Sequence, residues 1–300
     1  MAVKSTQKIA IAISIIAIVC NVLLAAIKFF AGFFSKSYAL ISDGIDSSAD
    51  ILTTVILIIG IKIASKPYDE KHPFGHDRFE CVVEILLAFF LVIVGGKMGL
   101  VGIESLIDKS YLQTQNTHLG FALVVAIISI VMKESMYWFT IIGAKKINSG
   151  ALKANAWNFR VDAISSIGSV IAIIGLKFGL PILDPIISII ICLFVLRTGI
   201  TIFVKAISKM TDEAMDDSSI EKIRVIVLND EGVRGIDSLK TRKFGDRNYV
   251  ELEIEVDCNL TIYDAHEIAE RVHDKIEQDV EYVKHCVVHV NPSIKTDCQE

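Results

Sequence analysis

The sequence predicts a polytopic α-helical membrane protein with six transmembrane helices, followed by a C-terminal cytoplasmic α+β domain. Composition is the first indication: 52% of the 300 residues are hydrophobic and the mean hydropathy is +0.53, which soluble globular proteins rarely reach. Charge is the second, because residues 211–300 carry 11 Lys/Arg and 22 Asp/Glu, whereas residues 1–210 have a net charge of +6. These features exclude a single soluble enzyme domain, a disordered chain and a nucleic-acid binder with a broad basic face.

Six apolar runs exceed the roughly 18 residues that indicate a membrane-spanning helix. They cover residues 9–34, 38–64, 81–105, 118–143, 151–177 and 179–206. Lys28, Lys97 and Lys133 interrupt three of the runs. The first run is too long for a signal peptide and has no small-residue cleavage site.

The distribution of Lys and Arg between the predicted helices gives the orientation. One side of the membrane receives Lys4, Lys8, Lys66, Lys71, Arg78, Lys145, Lys146 and Lys153. The other side receives only Lys36, Lys109 and Lys177. The first side should be cytoplasmic, and with six spans both termini lie there.

The acidic C-terminal part has the pattern of a small α+β domain. Helical or strand patterns cover 218–227 (helix, with Ser218 and Ser219 as cap candidates), 237–243 (strand), 249–256 (strand), 263–279 (helix) and 283–290 (strand). The order is therefore αββαβ. An isolated unit of about 80 residues is marginally stable, so we expect dimerisation. We place the domain boundary between residues 1–211 and 212–300.

Two predicted membrane helices carry matching polar residues. The second has Asp43, Asp46 and Asp50, whose spacing places all three on one helical face. The fifth has Asn155, Asn158 and Asp162 at the same spacing, and the pattern A-L-x-x-[D/N]-x-x-[D/N]-x-x-x-D occurs in both helices. A carboxylate in the bilayer interior costs roughly 2.5–3.5 kcal/mol on insertion scales, so such a row requires a compensating cation or water.

Four of these side chains, Asp46, Asp50, Asn158 and Asp162, could surround one divalent cation. The alternative is that they cap helix ends or line a wet crevice without binding metal. Three acids on one membrane face are difficult to explain by capping, so we favour the metal site.

Two further clusters have metal-ligand chemistry. The loop after the second helix has Asp69, His72 and His76 within eight residues, which suits Zn²⁺, Mn²⁺ or Fe²⁺, although solvated histidines in a polar turn are the alternative. The C-terminal domain offers a second set, for which an acidic solvated face is an equally plausible interpretation: Asp237, Glu253, His266, His289 and Asn291. His273 and His285 are expected to be surface residues without a site.

The chain has no enzyme signature, since a phosphate-binding G-x-x-x-x-G-K loop, a nucleophile elbow and an HExxH motif are all absent from the sequence. A channel and a membrane-anchored metal sensor that does not transport remain alternatives. The paired polar motif inside the membrane argues against the sensor, because sensing requires only the soluble domain.

The sequence resembles the cation diffusion facilitator family of metal exporters over nearly its whole length. The resemblance depends on Ser42–Asp50 with its D-x-x-x-D, on the loop His72–His76 and on Asn158-x-x-x-Asp162. It implies a homodimer in a lipid bilayer that exchanges a divalent metal cation for protons, with no organic cofactor and no nucleic acid. It also implies a metallochaperone-like cytoplasmic domain and three metal sites: the transport site at Asp46, Asp50, Asn158 and Asp162, the loop site at Asp69, His72 and His76, and an interface site at Asp237, His266 and Asn291 with Glu253 and His289 nearby.

Ligand chemistry suggests which metal is transported. Asp46, Asp50, Asn158 and Asp162 form an all-oxygen set, which favours Mn²⁺, then Fe²⁺, over Zn²⁺. Zinc transporters of the family that the chain resembles usually carry His where Asn158 stands. We therefore expect proton-coupled efflux of Mn²⁺, with a Zn²⁺ or Fe²⁺ exporter of the same family as the alternative.

Overall fold

The computed structural model describes residues 2–35, 38–109, 119–180 and 182–293. The chain divides into two compact units, Met1–Ala206 and Ile207–Glu300. The first unit is built from long helices: α1 (Ala2–Ser35), α2 (Tyr38–Ala64), α3 (Phe79–Asp108), α4 (Leu119–Ile147), α5 (Gly150–Lys177) and α6 (Leu183–Met210). The order of six helices agrees with the sequence prediction.

Polar residues are concentrated in the first half of α5. Among the described residues, α1, α2, α3, α4 and α6 each contain a stretch that is long and apolar enough to cross a membrane. The predicted fifth stretch, 151–177, lies within α5, and the first half of this helix carries Lys153, Asn155, Asn158, Arg160 and Asp162. Since α5 contacts α2, α3 and α4, the helix bundle can enclose these polar groups.

Helices α3 and α6 approach closely where α3 has small residues. A Cβ atom added to Gly99 would lie 2.4 Å from the Sγ atom of Cys192, and one added to Gly95 would lie 2.8 Å from Cγ1 of Val195. This Gly-x-x-x-Gly spacing is typical of helices that pack tightly in membranes. Leu91, Val161 and Val195 complete a buried cluster that joins α3, α5 and α6.

A two-residue turn joins α4 to α5. Asn148 adopts a left-handed conformation with φ of 54°, which asparagine tolerates better than most residues. The hydroxyl of Ser149 accepts a hydrogen bond from the backbone N–H of Leu152 at 3.2 Å and so satisfies one free donor at the start of α5. The two helices therefore form an αα-hairpin.

The second unit has the predicted order αββαβ. Its elements are α7 (Asp217–Leu228), β1 (Gly235–Phe244), β2 (Arg247–Val256), α8 (Ile262–Asp279) and β3 (Val283–Pro292). The sheet order is β1-β2-β3, in which β1 and β2 are antiparallel and β2 and β3 are parallel, with α8 as the crossover. The cap of α7 differs from the prediction: Asp216, not Ser218 or Ser219, accepts the hydrogen bond from the N–H of Ser219.

The core of this unit lies between the sheet and its helices. The alternation predicted for β2 is confirmed, because Val250, Leu252, Ile254 and Val256 are all buried. They pack with the apolar faces of α7 and α8, which contribute Ile223, Val227, Ile268, Val272 and Ile276. Burial of each such side chain stabilises the fold by roughly 1.5–3 kcal/mol.

Candidate metal sites

Helices α2, α4 and α5 bring four polar side chains together inside the first unit. The Nδ2 atom of Asn158 donates a hydrogen bond to Oδ1 of Asp50 at 2.7 Å. The ammonium of Lys133 forms an ion pair with Oδ2 of Asp50 and a second one with Oδ2 of Asp162, at 2.8 Å. Two carboxylates from α2 and α5 thus converge on one cationic group, and the Asn158 amide contacts one of them.

Lys133 is the component that the sequence analysis did not assign to the site. Its side chain is 2% exposed, and its ammonium also lies 5.4 Å from the centre of the Phe159 ring. The sequence reveals Lys133 only as an interruption of an apolar run. A lysine in such a run needs a buried anionic partner, and this signal could have linked α4 to the acids of α2 and α5.

Asp46 lies beside this cluster at the wall of two cavities. One has a volume of about 340 Å³ and is also lined by Asp50, Asn158 and Asp162. The other, of about 80 Å³, is lined by Asp43, Asp46, Lys28 and Lys133 among others. The four predicted oxygen ligands therefore line one cavity, and a divalent cation could reach them after small side-chain movements.

A second buried lysine, Lys28 on α1, has different neighbours. Its ammonium donates hydrogen bonds to the hydroxyl of Ser47 at 3.2 Å and to the backbone oxygen of Asp43 at 3.4 Å. Lys28 thus lies near the first turn of the α2 motif, whereas Lys133 lies between the carboxylates of Asp50 and Asp162.

The loop between α2 and α3 brings its three predicted ligands together. One ligand atom from each of Asp69, His72 and His76 lies within 4.8 Å of the others. Nδ1 of His72 is 3.1 Å from Oδ1 of Asp69, and Nε2 of His76 is 3.5 Å from Oδ2. Nδ1 of His76 contacts the carbonyl oxygen of Pro67 at 3.1 Å, an arrangement that directs Nε2 toward Asp69.

Backbone donors stabilise the charged form of the Asp69 carboxylate. The N–H of His72, at 2.7 Å, and the N–H of Lys71, at 3.0 Å, both donate to Oδ1. The hydrogen bond from the backbone of His72 is the largest cause that holds the pKa of Asp69 below its ordinary value. This carboxylate is therefore ready to accept a cation without first losing a proton.

The predicted C-terminal set is only partly assembled. Nδ2 of Asn291 donates to Oδ2 of Asp237 at 2.7 Å and to Oε2 of Glu253 at 3.3 Å. His289 lies next to Glu253 in the parallel register of β2 and β3. His266 is directed differently, because its Nε2 atom pairs at 3.3 Å with Glu270, one turn further along α8.

Comparison with known proteins agrees with this division into two units. A family model described as the cation efflux transmembrane domain matches residues 14–211, and one described as the cation efflux protein, cytoplasmic domain, matches residues 215–293.

Several proteins resemble the chain over almost its whole length. An uncharacterized transporter of Methanocaldococcus jannaschii is 36% identical over 92% of this chain and 96% of its own. The manganese efflux system protein MneP of Bacillus subtilis is 30% identical over 95% of this chain and 97% of its own. Among solved structures, a nickel form of a MamM CTD variant covers 26% of this chain and 98% of that chain, with 25% identity and a TM-score of 0.25.

Proposed function

The chain belongs to the cation efflux family, and from this premise we propose that it exports divalent metal cations, preferably Mn²⁺, from the cytoplasm in exchange for protons. It is a multi-pass membrane protein of a transporter family and not an enzyme. Residues 1–211 are proposed as the transport domain and residues 212–300 as the regulatory and dimerisation domain.

The convergence of Asp50 and Asp162 on one buried cation, with Asn158 bonded to Asp50, supports this proposal most directly. Anionic groups in a membrane interior are rare and mark ion pathways. The ammonium of Lys133 lies between the two carboxylates. We propose that the transported metal displaces this ammonium and is bound by Asp46, Asp50, Asn158 and Asp162.

Ligand chemistry supports Mn²⁺ as the substrate. All four proposed ligands offer oxygen, provided that the Asn158 amide rotates so that its oxygen, and not the Nδ2 atom now bonded to Asp50, faces the metal. Oxygen ligands suit Mn²⁺ better than Zn²⁺, which favours imidazole. The manganese efflux relative of Bacillus subtilis supports the same choice.

Exchange with protons follows from competition for the same carboxylates. Protons entering from the outer side compete with the metal for Asp46, Asp50 and Asp162. After the carrier returns and these protons leave to the cytoplasm, Lys133 pairs again with Asp50 and Asp162, so the empty site does not hold two unpaired buried carboxylates. Lys133 thus acts as an internal competitor that promotes metal release.

The remaining proposals concern orientation and assembly. We place both termini in the cytoplasm, because the Lys and Arg residues of the predicted loops concentrate there. A homodimer is proposed, with the cytoplasmic unit as one of its contacts. Metal bound by Asp69, His72 and His76, or by the set Asp237, Glu253, His266, His289 and Asn291, would bias the conformation of the dimer.

Transport by purified protein in proteoliposomes tests the site. Asp50→Asn or Asp162→Asn should abolish Mn²⁺ flux, because each change removes a charge that binds the substrate. Asp108→Asn is the matched control, since Asp108 is exposed at the end of α3 and should not affect flux. Full Mn²⁺ flux in either site variant would refute the transport site.

A second variant tests the choice of metal. Asn158→His adds an imidazole to the oxygen set, so the ratio of Zn²⁺ to Mn²⁺ flux should rise about tenfold or more. Competition between the two ions in the same vesicles measures this ratio. An unchanged preference would contradict the role assigned to Asn158.

A further inference from the structure

Three side chains at one end of α8 and the start of β3 form a cluster separate from the predicted sites. His273 and Glu277 lie one turn apart on α8, and His285 lies near the start of β3. One ligand atom from each lies within 4.8 Å of the others. The sequence predicts surface positions without a site for both histidines, because it does not show that β3 returns beside this turn of α8.

The distances in the cluster match the geometry of a tetrahedral metal site. The Nε2 atom of His273 is 3.3 Å from Oε1 of Glu277, and the Nδ1 atom of His285 is 3.4 Å from the same oxygen. Two ligands bound to Zn²⁺ at about 2.0–2.1 Å with tetrahedral angles are separated by about 3.3–3.4 Å. Both distances are long for a hydrogen bond between nitrogen and oxygen.

Hydrogen bonds from outside the cluster orient two of its members. The Nδ1 atom of His273 lies 2.6 Å from the carbonyl oxygen of Cys286, to which it donates a proton, so Nε2 keeps its lone pair on the side of Glu277. Metal-binding histidines commonly have such a backbone partner for the second nitrogen. The N–H of Cys286 donates to Oε1 of Glu277 at 3.1 Å and holds this carboxylate in place.

Exposure leaves room for a metal ion and a fourth ligand. The side chains of His273, Glu277 and His285 are 32%, 31% and 52% exposed, so water can complete the coordination. Two imidazoles and one carboxylate form a set that zinc favours, unlike the all-oxygen set between α2 and α5.

We propose that His273, Glu277 and His285 form a Zn²⁺ site in the cytoplasmic unit, distinct from the set that includes His266 and His289. The new site lies seven residues along α8 from His266, which is about 10 Å at 1.5 Å per residue. It lies four residues along β3 from His289, about 13 Å at 3.3 Å per residue. Its donor set differs from that of the proposed transport site, so the two sites should prefer different metals, a difference that rests on the proposed function.

Metal content of the full-length protein in detergent provides the first test. After equilibration with Zn²⁺ and removal of free metal, His285→Gln and Glu277→Gln should each bind about one Zn²⁺ per chain less than the wild type. Lys284→Gln serves as the matched control on the same strand, because Lys284 is exposed and belongs to neither proposed metal site, and its Zn²⁺ content should equal that of the wild type. Equal Zn²⁺ content in the wild type and both cluster variants would overturn the proposal.

A second measurement uses the unmodified protein and so does not depend on the folding of variants. Diethylpyrocarbonate modifies accessible imidazoles, and mass spectrometry identifies the modified residues. Zn²⁺ should slow the modification of His273 and His285 at least several-fold, whereas Mn²⁺ at the same concentration should protect them less. Modification at an unchanged rate in saturating Zn²⁺ would show that the cluster is only an ion pair between protonated histidines and Glu277.

Discussion

The ion pairs of Lys133 lead to a prediction that differs from the usual effect of removing a buried charge. Lys133→Met removes the ammonium that now lies between Asp50 and Asp162 and replaces it with an apolar side chain of similar length. If the ammonium competes with the substrate, this variant should bind Mn²⁺ more tightly and release it more slowly. If Lys133 only stabilises the fold, substrate affinity should not increase.

The contacts of Lys133 give the magnitude. Each hydrogen bond to a charged group contributes about 1.5–3 kcal/mol, so displacing both contacts costs the metal at least about 3 kcal/mol. Removing this cost should lower the half-saturating Mn²⁺ concentration roughly a hundredfold. In metal-free buffer the same variant should be less stable by about 3–5 kcal/mol, because two buried carboxylates lose their partner.

Flux in proteoliposomes separates these effects. Lys133→Met should show a lower KM for Mn²⁺ together with a lower maximal rate, since metal release becomes slow. Lys133→Arg keeps the cation and should remain close to the wild type. Lys28→Met is the matched control, because Lys28 is equally buried but contacts Ser47 and the backbone of Asp43.

An unchanged or higher KM in Lys133→Met would refute the competition. The protein must first be shown to be monodisperse in detergent with Mn²⁺ present. A lower KM in Lys28→Met of the same size would also refute it, because the effect would then reflect the general charge of the helix bundle.

Two further predictions concern stability. Asp230 is buried, which raises its pKa, but hydrogen bonds from Arg271 and a second cationic side chain of α8 outweigh burial and lower the pKa overall. Its contribution to the free energy of unfolding should therefore be complete above pH about 4 and be lost as the pH falls through the lowered pKa. Asp230→Asn should lower the free energy of unfolding by roughly 1.5–3 kcal/mol. Hydrogen exchange of α8 peptides measures this loss, and unchanged exchange would contradict the prediction. Gly99→Ala should destabilise the α3–α6 contact by about 1–3 kcal/mol, because the added Cβ would meet Cys192. Gly96→Ala is the control and should have no effect, because nothing lies within 4 Å of its added Cβ. Equal melting temperatures of the two variants in detergent would refute the prediction.

The order of helices and strands could be predicted because each element has a strong local pattern. The strict alternation of β2 and the apolar face of α8 depend only on neighbouring residues, and both agree with the structure. Helix α5 shows the limit of this reasoning: the helix itself could be predicted, but its contacts with α2, α3 and α4, which surround its polar residues, are not local.

The same distinction between local patterns and non-local contacts applies to the candidate sites. Asp69, His72 and His76 are close in sequence, so their spacing predicted their convergence. Lys133 and Asp50 are 83 residues apart, and the packing of α4 and α2 against α5 brings them together. For the same reason, the proximity of His285 to His273 could not be inferred from the sequence of either element.

The two-residue turn between α4 and α5 has a consequence for biogenesis. Because the first half of α5 carries Lys153, Arg160 and Asp162, whose charges are costly in lipid, the insertion machinery should receive α5 together with α4 as one helical hairpin. Lys133 of α4 and Asp162 of α5 form an ion pair within this hairpin. Each residue therefore neutralises a charge that the other helix would otherwise bring unpaired into the bilayer. The ribosome must therefore have synthesised Asp162 before either helix can move from the translocon into the lipid with its charge paired.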